Sequence, residues 1–330
     1  MLAPSNKFMK TSTSILLASC LGAASLYAQK EGDLFTPDPL TNDTRPTGWG
    51  RLLEIPDFNF GNSSGENNGP GLPLAQISYG HFFSSDFDTL GGDVSADEFT
   101  LRTPLASIRI GNAYVIPFLT YRWNEFSTST PNLLPESTLH QVRMPIAVLY
   151  EPADRWLVGG MVMPAFAGDL SNSDNFSIAG ALGAAYQYSD NLTILGGLYY
   201  FNGYDESYLV GGPGFMWQAT DKFQAFLMGP IARLNYNVND RWTLSLTARY
   251  DSPIWNVEAD ALGPERDISM SSFQIDLRSE HRLGKSTWGF VSVGYSFLRD
   301  MEIEDLDSHS LQSDDIDSGL FVETGLTLRF

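Results

Sequence analysis

The chain has 330 residues and a formal net charge of −19, which argues against a nucleic-acid partner. Beyond the N-terminus no stretch approaches the roughly 20 apolar residues of a membrane-crossing helix, so a helical membrane protein is excluded. Aromatic residues make up 13% of the chain and Gly numbers 30, while the mean hydropathy is −0.13, as expected of strands that alternate apolar and polar residues.

Residues 1–28 have the make-up of a cleaved secretory signal. Lys7 and Lys10 supply the positive start, residues 15–26 form an apolar run, and Ala28 offers a cleavage site before Gln29. A competing reading is a lipoprotein box, Leu17-Ala18-Ser19-Cys20, which would leave Cys20 lipidated. Cys20 is the only cysteine, so no disulfide can form once the signal is gone. Residues 29–72 are rich in Pro, Asn, Gly and Ser and read as a loop-like leader. The alternative is a plug, with residues 52–60 docked inside a lumen.

From residue 73 to 330 one pattern repeats as a single domain. Strands are expected at 74–83, 98–110, 113–126, 138–150, 156–166, 176–188, 192–201, 208–218, 222–228, 232–238, 241–250, 271–283, 288–298 and 319–330. Short turns alternate with long polar loops, as in barrels with short turns on one side of the membrane and long loops on the other. Counting back from the C-terminus, the turns at 219–221 and 239–240 fall on the same side. That requires a reversal between them, and Gly229-Pro230 is the turn chemistry available. The fold class is therefore all-β, a transmembrane antiparallel β-barrel of about 14 strands, with 12 as the alternative if Gly229-Pro230 is a kink.

Alternation assigns faces. Trp242, Leu244, Leu246, Ala248 and Tyr250 lie opposite Arg241, Thr243, Ser245, Thr247 and Arg249; Phe273, Ile275 and Leu277 lie opposite Asp276, Arg278, Glu280 and Arg282. In a barrel the apolar face meets lipid, where a mid-depth Arg costs about 2–4 kcal/mol. Arg102, Arg122, Arg143, Arg233, Arg249, Arg278 and Arg282 should then line the lumen, with Asp276 and Glu280. Trp123, Tyr150, Trp156, Tyr188, Tyr250 and Trp288 sit near strand ends, where an interfacial girdle belongs. The last strand places Leu320, Val322, Leu326, Leu328 and Phe330 on one face. A terminal Phe330 with Leu328 and Leu326 behind it resembles the signal by which bacterial outer-membrane barrels are recognised by their assembly machinery.

The stretches YVIPFLTYRW (114–123), MPIAVLYEPADRWLVGG (144–160) and MGPIARLNYNVNDRWTL (228–244) resemble a bacterial outer-membrane barrel family known only as a domain of unknown function. The resemblance covers residues 73–330; it implies the fold and an outer-membrane location and carries no catalytic residues. More loosely, the chain resembles outer-membrane channels for hydrophobic compounds, whose N-terminal segment folds into the lumen.

Enzyme chemistry finds little support. The four histidines, His81, His140, His281 and His309, make no metal-spaced pair, and no G-x-S-x-G occurs. No cofactor is called for. The acidic stretch 300–318 holds eight carboxylates and is expected as an external loop. It is either a solvated loop or a divalent-cation site, with Asp305, Asp307, Asp314 and Asp315 as candidate ligands that would bridge to lipopolysaccharide phosphates. The expected partners are outer-membrane lipids, lipopolysaccharide, the barrel-assembly machinery and, on the second reading, divalent cations. The function expected is a channel or transporter for small solutes; the rival is a closed structural or surface-binding barrel. Replacing Phe330 with Asp should lower outer-membrane levels severalfold while secretion continues, measured by membrane fractionation. Unchanged levels would rule out the terminal signal.

Overall fold

The computed structural model describes residues 75–111, 113–130, 133–134, 137–153, 155–169, 176–203, 206–257, 266–305 and 309–329. The expected signal and leader, Cys20, Asp307 and Phe330 lie outside the described residues.

Eighteen strand segments form one sheet, and four of them continue a neighbour across a short break, so the wall has fourteen crossings. In chain order these are β1 (Ala75–Asp86), β2 (Asp93–Pro104 with Ile108–Ile110), β3 (Ala113–Thr128), β4 (Thr138–Arg143 with Ile146–Ala153), β5 (Trp156–Gly168), β6 (Phe176–Ser189) and β7 (Leu192–Gly203). There follow β8 (Glu206–Gln218), β9 (Phe223–Met228), β10 (Ile231–Asn239), β11 (Trp242–Asp251 with Ile254–Val257), β12 (Arg266–Arg282), β13 (Thr287–Asp305) and β14 (Ser310–Ile316 with Gly319–Leu328). Each pairs antiparallel with its sequence neighbours. β14 returns to β1, from Ala75↔Leu328 to Phe82↔Phe321, and so closes the barrel.

The reversal expected at Gly229-Pro230 is present, with Gly229 at φ 54°. A glycine with positive φ at the first turn position matches the twist of a two-residue hairpin. The expected strands 98–110 and 138–150 are each interrupted, at 105–107 and at Met144-Pro145. Pro145 has no N–H to give to a ladder, but its carbonyl still accepts from Phe118 N at 2.8 Å.

Two expected loops are not loops. β12 begins at Arg266, and β11 resumes after Ser252-Pro253 as Ile254–Val257. β13 and β14 likewise run out into the acidic stretch as a hairpin, with Asp300 paired to Asp315. The charge there suggested a solvated loop, but Met301, Ile303 and Ile316 alternate through it at strand period and are buried. A bulge on β13 makes this work. Ser271 pairs with Asp300 but Phe273 with Phe297, and the extra residue is Leu298 at φ 50°. Before the bulge Trp288, Phe290, Ser292 and Ser296 face inward; after it Met301 and Ile303 do.

The outer wall is apolar. Leu182, Leu198, Leu277, Val291 and Val293 are each more than half exposed, as are Leu209 and Leu320. Each would cost about 1.5–3 kcal/mol to leave in water, so the wall is built for hydrocarbon. Leu326 and Leu328 face outward with Val322. Trp288 corrects one expectation: it is buried on the inward face, under the Arg329 guanidinium at 4.8 Å, and does not belong to the girdle. Tyr150, Trp156 and Tyr188 do face outward. A β-barrel closed in this way should resist detergent until heated. Unheated protein is expected to migrate differently from boiled protein on gels; identical mobility would contradict a closed barrel.

The lumen and its external mouth

Inward positions divide the lumen into two sectors. On one side, from β3 to β9, they are mostly apolar: Ile116, Leu149, Leu157, Met161, Tyr199 and Met228 form a buried cluster, with Gln141, Ser177, Gln187 and Thr193 as buried polar exceptions. Small Ala179, Ala181 and Ala185 on β6 leave room for these larger groups from neighbouring strands. On the other side, from β10 through β14 to β3, inward positions are mostly polar or charged: Thr243, Ser245, Gln274, Asp276, Glu280, Ser292 and Thr327 are all buried, beside the inward rings of Trp288, Phe290 and Phe321.

Most of the basic residues expected in the lumen meet there, and they meet partners. Arg122 of β3 donates from Nε to Glu98 Oε2 on β2 at 2.7 Å and from Nη2 to Asp251 Oδ2 on β11 at 2.8 Å. The second contact crosses the barrel. Arg249 donates to Gln274 Oε1 at 3.0 Å and lies 3.6 Å from Asp276, whose other oxygen accepts from Ser292 Oγ at 2.8 Å. Glu280 bridges two arginines, with Arg278 Nε at 3.4 Å and the Arg329 guanidinium in hydrogen-bond contact. Arg278 also stacks on Phe290, 3.3 Å from its ring centre, and Arg102 on Phe118 at 5.5 Å. Arg233 faces the same charge group, near Arg249, Asp276, Arg278 and Glu280. Arg143 shares the inward parity of Leu139 and Gln141. Arg282 has inward parity but sits exposed at the strand end, where it donates to the carbonyls of Gly284 and Lys285 at 3.0 and 2.6 Å. Interior positive charge is thus largely matched by carboxylates, more of them than the Asp276 and Glu280 expected from sequence.

One mouth of the barrel, the end expected to be external, is covered. β9 and β10 are short, and among the described residues β11 has no β10 partner beyond Ala248. Past the Ser252-Pro253 break, Ile254–Val257 crosses the mouth and Asn256 pairs in parallel with Gly168 of β5. A second buried apolar cluster forms around it, in which Trp255 and Val257 pack with Phe126, Leu139, Ile268 and Met301. Trp255 meets Phe126 edge-on at 5.6 Å. Asn256 is buried and donates to Asp267 Oδ1 at 2.8 Å. We refer to Ile254–Val257 as the lid.

The acidic candidates are dispersed. Asp314 accepts from Leu90 N at 2.8 Å, Thr89 Oγ1 at 2.7 Å and Thr89 N at 3.1 Å, so its oxygens anchor the β1–β2 loop. Asp305 accepts from His309 N at 2.8 Å, and Asp315 is exposed. Among the described residues no three His, Cys, Asp or Glu side chains converge as metal ligands would. His81 and Asp97 pair at 2.7 Å on the outer wall, His140 contacts Tyr121 Oη at 2.9 Å, and His281 stacks on Trp242 at 5.4 Å.

Glu98, Asp251, Asn124, Trp255, Ser296 and Arg329 were not singled out from sequence. Parity alone would have found Glu98, Asn124, Ser296 and Arg329, since each alternates with lipid-facing residues. Asp251 likewise follows Arg249 at inward parity, whereas nothing local marks Trp255, whose role depends on the break at Pro253.

A family model described as "Domain of unknown function (DUF6268)" matches residues 113–329. Among solved structures, a Pseudomonas aeruginosa FadL homologue is similar at 9% identity and a TM-score of 0.40, over 78% of this chain and 90% of that one. The NanC porin is similar at 10% and 0.39, over 78% and 100%, and the P. putida toluene transporter TodX at 9% and 0.38, over 86% and 95%. No curated protein matches.

Asp314 gives a pH-dependent test. Burial pushes its carboxyl up, but hydrogen bonds from Thr89 and Leu90 outweigh this and hold it below its ordinary value. A depressed carboxylate adds stability above its unfolded pKa, about 3.9, and that contribution is lost as pH falls through the lower folded value. Asp314→Ala should speed amide exchange of Thr89 and Leu90 at neutral pH by about tenfold, one hydrogen bond's worth. Acidifying the wild type below about pH 4 should lower the protection factors of these two amides, that is, their exchange relative to the intrinsic rate at each pH. Unchanged exchange in the variant would mean the loop is held otherwise.

Proposed function

The chain belongs to the family described as Domain of unknown function (DUF6268), and on that premise we propose an outer-membrane channel for small solutes, shut at its external mouth by the lid. The N-terminal 28 residues would export it, and lipid and lipopolysaccharide would surround it.

The observation that carries this reading is the divided lumen. A barrel that served only as a scaffold would be best filled by apolar packing, as the β3–β9 side is. Buried ion pairs seldom stabilise more than well-packed apolar residues of the same volume, because desolvation offsets their attraction. Charges along β10 to β3 make sense where water and polar solutes reach them. The lid stays paired with β12 throughout, and its ties to the far wall are the parts that would release. It hangs on a proline break, and the Arg122–Asp251 contact pins that break to the opposite wall at 2.8 Å. The rival reading, a permanently closed barrel, draws on the same pairing of interior charges.

Single-channel conductance in planar bilayers separates the two. The wild type should open rarely, and Asp251→Asn should raise open probability at least tenfold while Glu98 still neutralises Arg122. Arg122→Gln should do the same if it folds. No openings in the wild type or in either variant would leave the closed barrel.

A further inference from the structure

The interior charges fall into two sets. Near the lid, Arg122 and Arg143 balance Glu98 and Asp251. The second set faces the lumen from β10 to β14. It holds the arginines Arg233, Arg249, Arg278 and Arg329 against the carboxylates Asp276, Glu280 and Glu323, and so carries a surplus positive charge. Arg249 lies 3.6 Å from Asp276, Arg278 lies 3.4 Å from Glu280, and Arg329 is in hydrogen-bond contact with Glu280. Arg233 has no carboxylate within ion-pair distance among the described residues, and its Nε has no hydrogen-bond partner.

The sheet explains why. Arg233 faces Thr247 of β11 in register, and Thr247 faces Asp276 of β12. Two strand spacings, about 10 Å of backbone, separate the arginine from that carboxylate. On its other side Arg233 faces Phe226 of β9, which packs on the apolar cluster. It is therefore the last charged position before the apolar sector. It is half-buried, and its parity is opposite to that of the lipid-facing Leu234 and Tyr236, so its accessible surface belongs to the lumen.

We propose that Arg233 is the residue that selects small anions in this lumen. A guanidinium stays charged at any working pH. In an interior walled by hydrocarbon its field is weakly screened, so an unmatched charge concentrates compact anions and repels cations. The other arginines do this less, because a carboxylate nearby cancels most of each field. Arg122, held between Glu98 and Asp251, contributes no such preference at the mouth.

This inference rests on the channel reading, and a second measurement separates the two. Reversal potentials across a potassium chloride gradient, read during openings in planar bilayers, should show chloride preferred over potassium. Arg233→Gln should lower that permeability ratio by about threefold or more, and Arg233→Lys, which keeps the charge, should hold it within about twofold. Arg233→Gln breaks no ion pair, so it should not lower the temperature at which gel mobility shifts. A fall in that temperature would show Arg233 matched within the wall and would overturn the inference. So would a wild type without chloride preference, or an unchanged ratio in Arg233→Gln. If none of the three proteins conducts, broadening of the chloride NMR line by full-length protein in detergent decides. Broadening lost in Arg233→Gln and kept in Arg233→Lys would sink the channel and keep the anion site; equal broadening in all three overturns both.

Discussion

Every backbone donor and acceptor at hydrocarbon depth needs a partner, because lipid offers none. The pairing of β14 with β1 meets that demand for the two strands that would otherwise be edges. The rest of the outer architecture follows. Once the ladder is closed, side chains alternate between lipid and lumen, and the wall selects Leu, Val and aromatic residues on one set of positions. Closely packed inward contacts such as Phe321 over Gly294, where a Cβ would collide with the ring, become possible because that face never meets lipid.

Closure creates a second problem. A ring of fourteen strands is too wide to be filled by its own side chains without local adjustment. The chain answers it in two ways within one barrel. Across β3 to β9 it packs large apolar groups against alanines. Across β10 to β3 it sets arginines against carboxylates and amides, which keeps each charge solvated by a neighbour. At the mouth a second apolar cluster forms only because backbone bends inward to supply Trp255 and Val257.

Much of this was legible in residues alone. Period-two alternation located the wall strands, and parity between short and long connections required the reversal that Gly229-Pro230 supplies. It also assigned Asp276, Arg278 and Glu280 their common face. What failed had physical reasons. Trp288 was placed by its nearness to a strand end, although Val291, Val293 and Tyr295 show by alternation that it points inward. The Leu298 bulge carries no glycine or proline to announce it, so the change of face between Ser296 and Met301 could not be read. Arg122 and Asp251 belong to strands on far sides of the ring, and no local periodicity reports a contact between distant strands. The acidic stretch was misjudged because charge was weighed above the alternation running through it.

The short hairpin, the lid and the cross-lumen ion pair form one arrangement. β10 starts at Ile231, so the outer half of β11 loses its neighbour on that side. A strand released from its ladder must find other partners for its backbone. The proline at 253 breaks the strand and lets it turn inward, and Asn256 recovers a backbone pairing on β5 while Trp255 and Val257 enter an apolar cluster. Arg122 then holds Asp251 at the start of the turn. The backbone demand that closes the wall therefore also closes the mouth. It does so while Ile254–Val257 keeps its ladder to β12, from Ile254↔Ser269 to Val257↔Arg266, so the cover is tied to the wall on one side and reaches the far wall through Asn256 and Asp251.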